Sequence, residues 1–358
     1  MFNKFYRDED NHFTEMFDTN DGFYIRSGVL KDGKDTNIDP FMRNFPNLLD
    51  IGIMETCVCA HKCTVDCYQK AISRTGANMS LEDYKSIMEQ CKDNVFSVAL
   101  GGAGDVDTHE NFEEILKMTR EYEIVPNFTT SGIMMTKEKA EICKKYCGAI
   151  AVSWHEGSTY TEKAINLLLD AGVKTNIHYV LGKNSIKDAI DKLKNNGFPK
   201  GINAIVFLLY KPVGLGRPEN VLQATDPEVK EFFHIIDTEA SKLPFKIGFD
   251  SCTCPAIINF TKNVNMNSMD TCEGGRFSAY ITADMKLLPC SFDNQDMKWA
   301  VDLKTHTIKE AWDSNIFEDF RSHFRNSCLS CPSREACMGS CPIRREIVVC
   351  NSKNKDLK

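Results

Sequence analysis

From residue 48 to about residue 214 the chain repeats one rhythm: a short apolar run rich in β-branched residues, a polar turn, then apolar residues three and four apart. The runs predict strands over Leu48–Met54, Val95–Leu100, Ile124–Thr129, Ala149–Ser153, Lys174–Leu181 and Ala204–Leu209. The longer stretches predict helices over Leu81–Asn94, Asn111–Tyr122, Lys137–Tyr146, Thr161–Ala171 and Ile186–Asn195. Strands alternating with helices of this length are parallel βα units. Six of them predict an α/β fold, a partial (β/α)6 parallel barrel with its chemistry at the carboxyl ends of the strands.

The flanks follow other patterns. Phe13–Asp18 and Gly22–Arg26 surround the turn signal Asn20-Asp21-Gly22, so residues 1–46 are expected to form an N-terminal β-hairpin extension. The barrel is expected over 47–245 and a cysteine-rich domain over 246–358. In the latter, Asp226–Lys242 (its lead-in) and Trp312–Phe324 read as helices, Lys246–Asp250 as a short strand, and Phe277–Ile281 with Met285–Leu288 as a hairpin. Residues 252–350 hold nine of the sixteen cysteines and little continuous apolar sequence, the composition of a module in which metal clusters replace core.

Composition narrows the function classes. A net charge of −7 argues against a broad nucleic-acid-binding surface. No stretch has the length of a signal-peptide core or of a membrane span, so neither membrane nor nucleic acid is an expected partner, and the expected location is cytoplasmic. In a reducing compartment, clustered thiols are metal ligands rather than disulfides.

Two cysteine groups stand out. Cys57, Cys59, Cys63 and Cys67 follow the first strand, with Tyr68 directly after. The second group is Cys272, Cys290, Cys328-x2-Cys331-x5-Cys337-x3-Cys341 and Cys350. Thiolates so gathered bind soft metals, and three on one short loop hold three irons of a [4Fe–4S] cluster while leaving the fourth open.

The first loop resembles that of radical S-adenosylmethionine (SAM) enzymes. The resemblance implies that the open iron chelates SAM, whose reductive cleavage yields a hydrogen-abstracting 5′-deoxyadenosyl radical. The family spacing is C-x3-C-x2-C, whereas Cys59-x3-Cys63-x3-Cys67 has one extra residue, and Cys57 competes with Cys59 as first ligand. Tyr68 would stack at the cluster. Gly101, Gly102, Ala103 and Gly104 stand where the family contacts the SAM amino group, a place that favours glycine because an unhindered backbone approaches closely. Ser131, Ser153, Asn176, His178 and Lys211 lie at later strand ends and complete the implied SAM pocket. His155 is a candidate acid or base, with an ordinary polar residue as the default reading.

The second group resembles the SPASM extension of peptide-modifying radical SAM enzymes, with Met285 where that pattern has glycine. The resemblance implies two auxiliary [4Fe–4S] clusters, one held by Cys272, Cys290 and Cys341, the other by Cys328, Cys331, Cys337 and Cys350. The first lacks a ligand unless Cys252 or Cys254 supplies it. Sulfatase-maturating relatives carry an acidic residue directly after the second auxiliary cysteine. Here Ser291 stands there, and Asp293 is the candidate base.

The implied activity is a radical SAM oxidoreductase that oxidises or crosslinks a peptide or protein, reduced by a flavodoxin or ferredoxin. Only about fifty residues precede the first cysteine loop, fewer than a leader-binding module needs. A peptide substrate would then need a separate recognition protein as partner, or recognition by the hairpin and SPASM region themselves. Action on a small metabolite, and a noncatalytic zinc-binding interaction protein, are the alternatives.

Overall fold

The computed structural model describes residues 3–350 other than 21, 62 and 64. Near the start, β1 (Lys4–Asp8), β2 (Phe13–Phe17) and β3 (Tyr24–Arg26) form an antiparallel sheet, followed by a hairpin of β4 (Leu30–Lys31) and β5 (Lys34–Asp35). The expected hairpin is β2–β3, with residue 21 of its turn outside the described residues. The strand β1 adds to it, in register Phe5↔Met16. One face of this sheet covers the amino ends of the barrel strands: the Phe17 ring stacks on Phe96 at 5.3 Å, with Tyr6, Tyr24 and Val125 around them.

The main sheet has ten strands. These are β6 (Leu48–Met54), β7 (Ser97–Gly102), β8 (Val125–Thr130), β9 (Ile150–Ser153), β10 (Thr175–Leu181), β11 (Ala204–Leu209), β12 (Lys246–Phe249), β13 (Ser278–Ile281), β14 (Lys286–Leu288) and β15 (Val301–Asp302). Their order is β12-β11-β10-β9-β8-β7-β6-β13-β14-β15. The six expected strands pair in parallel and in sequence. Two more extend the parallel set: β12 on β11, and β13 on the far side of β6. The cysteine-rich region thus shares the barrel's sheet, and β13–β14–β15 continue it antiparallel.

Between the strands run α1 (Leu81–Cys91), α2 (Phe112–Glu121), α3 (Lys137–Tyr146), α4 (Thr159–Asp170), α5 (Ile186–Asn195) and α6 (Pro227–Glu239). Local chemistry sets their ends. Ser80 accepts from the Asp83 amide to start α1, Thr136 does the same for α3, and Asn196 at φ +51° stops α5. Later come α7 (Cys254–Phe260), α8 (Ile308–Trp312), α9 (Asn315–Asn326) and α10 (Arg334–Cys337). The single helix expected over Trp312–Phe324 is two, because Ser314 caps a new helix by accepting from the Phe317 amide.

The helices pack on one side of the parallel strands. Leu49, Ile51 and Ile53 of β6 join that core, which leaves Leu48, Asp50 and Gly52 facing the hollow of the barrel. Among the described residues, no helix is long and apolar enough to cross a membrane.

Candidate active site

The barrel mouth is built around the loop that leaves β6. Cys57 is half-buried there. The Cys59 amide donates to its sulfur, and the Cys63 and Cys67 thiols and the Asp105 carboxylate lie within electrostatic reach. Burial raises the Cys57 thiol above its usual range. Cys59 is buried.

Glycines hold this loop from both sides. At Gly104 a Cβ would stand 2.3 Å from the Thr56 carbonyl oxygen, and at Gly102, with φ +119°, 2.2 Å from that of Met54. The Ala103 amide donates to the same Met54 oxygen at 2.7 Å, while Gly101 opens onto free space. Opposite, Gly214 sits at φ +70° where a Cβ would meet the Tyr68 carbonyl oxygen at 2.3 Å, and the Leu215 amide donates to Cys67.

The later strand ends bring polar groups to the same mouth. Ser131 is engaged: its amide and hydroxyl donate to Asp105 at 2.8 and 2.5 Å, tying β8 to the glycine-rich segment. Ser153 and His178 are register neighbours on β9 and β10. His178 Nδ1 lies 3.1 Å from Thr129 Oγ1, and burial lowers the imidazole to about 4, so it is neutral at physiological pH. Asn176, expected in the SAM pocket, instead lies at the amino end of β10, away from the mouth, because it is only the second residue of that strand; there it accepts from Asn203 at 2.7 Å. Lys211 is buried, its Nζ donating to the Leu209 carbonyl at 2.8 Å and to Asp250 at 2.6 Å, and lying 4.7 Å from the Phe292 ring centre. His155 is half-buried beyond Ser153, and burial lowers its imidazole.

The C-terminal cysteines fall into two sets. In the first, the Cys252 and Cys341 thiols are hydrogen-bonded, and Cys272 and Cys290 lie within electrostatic reach of Cys252 and of each other. Burial pushes the Cys272 thiol up to about 12. In the second, Cys337 has Cys328, Cys331 and Cys350 around it, and burial raises it to about 11. Cys254 stands apart from the first set, for which the sequence offered it and Cys252 as alternative fourth ligands. Its thiol faces the Ala336 carbonyl at 3.7 Å and the neighbourhood of Cys337.

Asp293 likewise differs from the expected base. Its carboxylate is buried and accepts from the Lys298 and Trp299 amides at 3.2 and 2.9 Å, closing a loop. The residue that faces the mouth from this segment is Phe292, which sequence reasoning missed. Its ring lies 5.1 Å from that of Tyr68, and its amide donates to Cys290. One aromatic contact therefore joins the two cysteine groups. Met285 adopts φ +67°, the left-handed conformation for which the usual glycine is suited.

The donor sets fit iron–sulfur clusters. Among the described residues, no three His, Cys, Asp or Glu side chains are close enough to hold a single ion. Thiols gathered more loosely suit a multi-iron core with bridging sulfides, and glycine backbones at the mouth leave room for a ligand. A family model of the radical SAM superfamily matches residues 55–212, and one of the SPASM iron–sulfur cluster-binding domain matches residues 272–332. The chain carries a radical SAM domain followed by a SPASM domain.

Solved structures share this fold. Streptococcus suis SuiB bound to precursor peptide SuiA is similar at a TM-score of 0.69 and 14% identity, over 97% of this chain and 99% of that one. SuiB bound to S-adenosylmethionine gives 0.67 and 17%, over 87% and 77%. The anSMEcpe structure with AdoMet and the Cp18Cys peptide gives 0.62 and 18%, over 87% and 92%. No curated protein sequence matches the chain. The cofactors of this radical SAM/SPASM enzyme are those of its two domains: SAM with its iron–sulfur cluster, and auxiliary iron–sulfur clusters.

Proposed function

We propose that this radical SAM/SPASM enzyme oxidises or crosslinks a peptide or protein. The observation that carries the reading is the shared wall between barrel mouth and SPASM segment, where Tyr68 meets Phe292 between the two cysteine groups. A substrate at that wall lies beside both. Similar folds solved with a precursor peptide or with the Cp18Cys peptide support a peptide over a metabolite.

When bound, the SAM-binding cluster with SAM supplies hydrogen-atom abstraction. This chain's residues hold and orient. Cys63 and Cys67, with Cys57 as the half-buried third thiol, would ligate the SAM-binding cluster. Gly101 to Gly104 would let the SAM amino acid end approach the backbone, and Ser153 would line its pocket. His178, neutral, offers a hydrogen bond rather than a charge. Cys252, Cys272, Cys290 and Cys341 would close the first auxiliary cluster, and Cys328, Cys331, Cys337 and Cys350 the second. Full ligation by protein suits electron transfer from the oxidised substrate rather than direct substrate binding. A small reducing protein and a separate peptide-recognition protein belong to this reading, as does a cytosolic location in keeping with sixteen cysteines.

The test is anaerobic reconstitution with iron and sulfide, then reduction with SAM. The expected products are 5′-deoxyadenosine and, with a peptide substrate, a mass loss corresponding to removed hydrogen. Cys63→Ala or Cys67→Ala should abolish both. A protein that leaves SAM intact, or consumes it while modifying only a small metabolite, would overturn the reading.

A further inference from the structure

The middle of β6 reads Leu-Leu-Asp-Ile-Gly-Ile-Met, and its acidic residue is out of place in a parallel strand with helices on its other face. Asp50 faces the hollow of the barrel. Its register neighbours there are Ala99 on β7 and Tyr280 on β13. The Tyr280 hydroxyl reaches over Gly52, where a Cβ would stand 2.4 Å from it, and Tyr68 covers the same region from the cysteine loop.

Asp50 makes no hydrogen bond or ion pair with any described residue. The buried lysine of the barrel does not serve it: the Lys211 ammonium is held by Asp250 and the Leu209 carbonyl. Asp50 is half-buried, and a carboxylate enclosed to that degree beside aromatic rings is ordinarily paired, since an unpaired one is penalised by lost hydration. Burial alone pushes this carboxyl up to about 6, with no compensating donor. Ala99 puts only a methyl group beside it, and Tyr68 and Tyr280, both within electrostatic reach of the carboxylate, bring aromatic rings of the kind that attract cations. A single metal ion is a poor occupant, since among the described residues no three His, Cys, Asp or Glu side chains stand close enough to hold one. An organic cation carries its own hydrogen-bond donors and needs only one carboxylate with aromatic walls.

We propose that Asp50 is a subsite for an ammonium or guanidinium group on the substrate that reacts in the barrel. This rests on the functional reading above, in that it places a substrate inside the mouth. It makes the favoured peptide one that presents a lysine, arginine or free amino group to β6.

The experiment uses reconstituted protein under argon at fixed ionic strength. Calorimetry compares n-butylammonium with n-butanol, its neutral analogue, and measures SAM affinity separately. Wild type should prefer butylammonium by about tenfold or more, the scale of one charge-assisted contact. Asp50→Asn should lose that preference and keep its SAM affinity. Ala99→Leu should lose it too, by filling the space while leaving the carboxylate in place. Equal binding of both probes by wild type, or an undiminished preference in Asp50→Asn and Ala99→Leu, would overturn the subsite. Weakened SAM binding in Asp50→Asn would also overturn it, by showing that the cation is SAM's own ammonium. None of these readouts depends on turnover. A preference that persists in a protein that modifies no peptide would sink the functional reading and leave the subsite standing.

Discussion

A carboxylate kept unpaired inside a barrel leaves a trace in stability as well as in binding. The Asp50 carboxyl is raised from 3.8 to about 6 in the folded protein. The folded state therefore holds the proton more tightly than the unfolded state between those values, and stability falls as pH rises through that window. By pH 7 the penalty is fully present. In the absence of a cationic ligand, Asp50→Asn is expected to raise stability at pH 7 by about 3 kcal/mol and to change little near pH 3.5. Urea unfolding at the two pH values checks this. Equal stability of variant and wild type at pH 7 would mean that Asp50 has a partner after all. An acidic residue in an apolar strand was visible in the chain, but periodicity alone could not say whether it met a lysine, a proton or a ligand.

At the scale of elements, two cysteines one residue apart are sent to different places by the start of a helix. Cys252 lies in a short turn before α7 and reaches Cys341, whereas Cys254 opens α7 and faces Ala336. Cys252→Ser is thus expected to disturb the first auxiliary cluster, lowering iron content and altering its electron paramagnetic resonance signal. Cys254→Ser should leave that signal in place. The reverse pattern would reassign the fourth ligand. The local elements themselves were largely legible: β6, β11, α3 and α5 lie where the apolar periodicity puts them. The break in α8–α9 at Ser314 was missed because the apolar face runs on through Trp312 and Phe317 while a capping hydroxyl interrupts the backbone between them.

Across the whole molecule, the N-terminal extension and the SPASM segment hold one another. Arg26 of β3, nearly buried, is paired with Asp39, Asp270 and Glu273, the last two flanking Cys272. Arg276 adds hydrogen bonds to the Phe41 and Cys272 carbonyls. Deeper, Arg43 and Glu15 form a fully buried pair at 2.7 Å, and the Trp312 indole donates to the Arg43 carbonyl. Arg26→Met leaves the half-buried Glu273 without its cation and loses two more exposed pairs, and is expected to destabilise the protein by about 1–2 kcal/mol. It should also expose the 26–40 segment to protease and lower iron incorporation at Cys272. Unchanged denaturation midpoints and proteolysis would show that the extension is an independent appendage.

The chain by itself determined the βα rhythm, the cysteine spacings and the residues at strand ends, because helix and strand periods and metal-ligand spacings are local properties of sequence. The tertiary structure decided what depends on distant pairings. It put β13 beside β6, so that the SPASM segment completes the barrel's sheet, and it set Phe292 against Tyr68. It also chose Cys252 over Cys254 as the neighbour of Cys341, turned Asp293 towards backbone amides, and left Asp50 alone in the hollow. Each is a contact between residues far apart in the chain, or the lack of one, and no periodicity encodes which distant side chain a residue will meet.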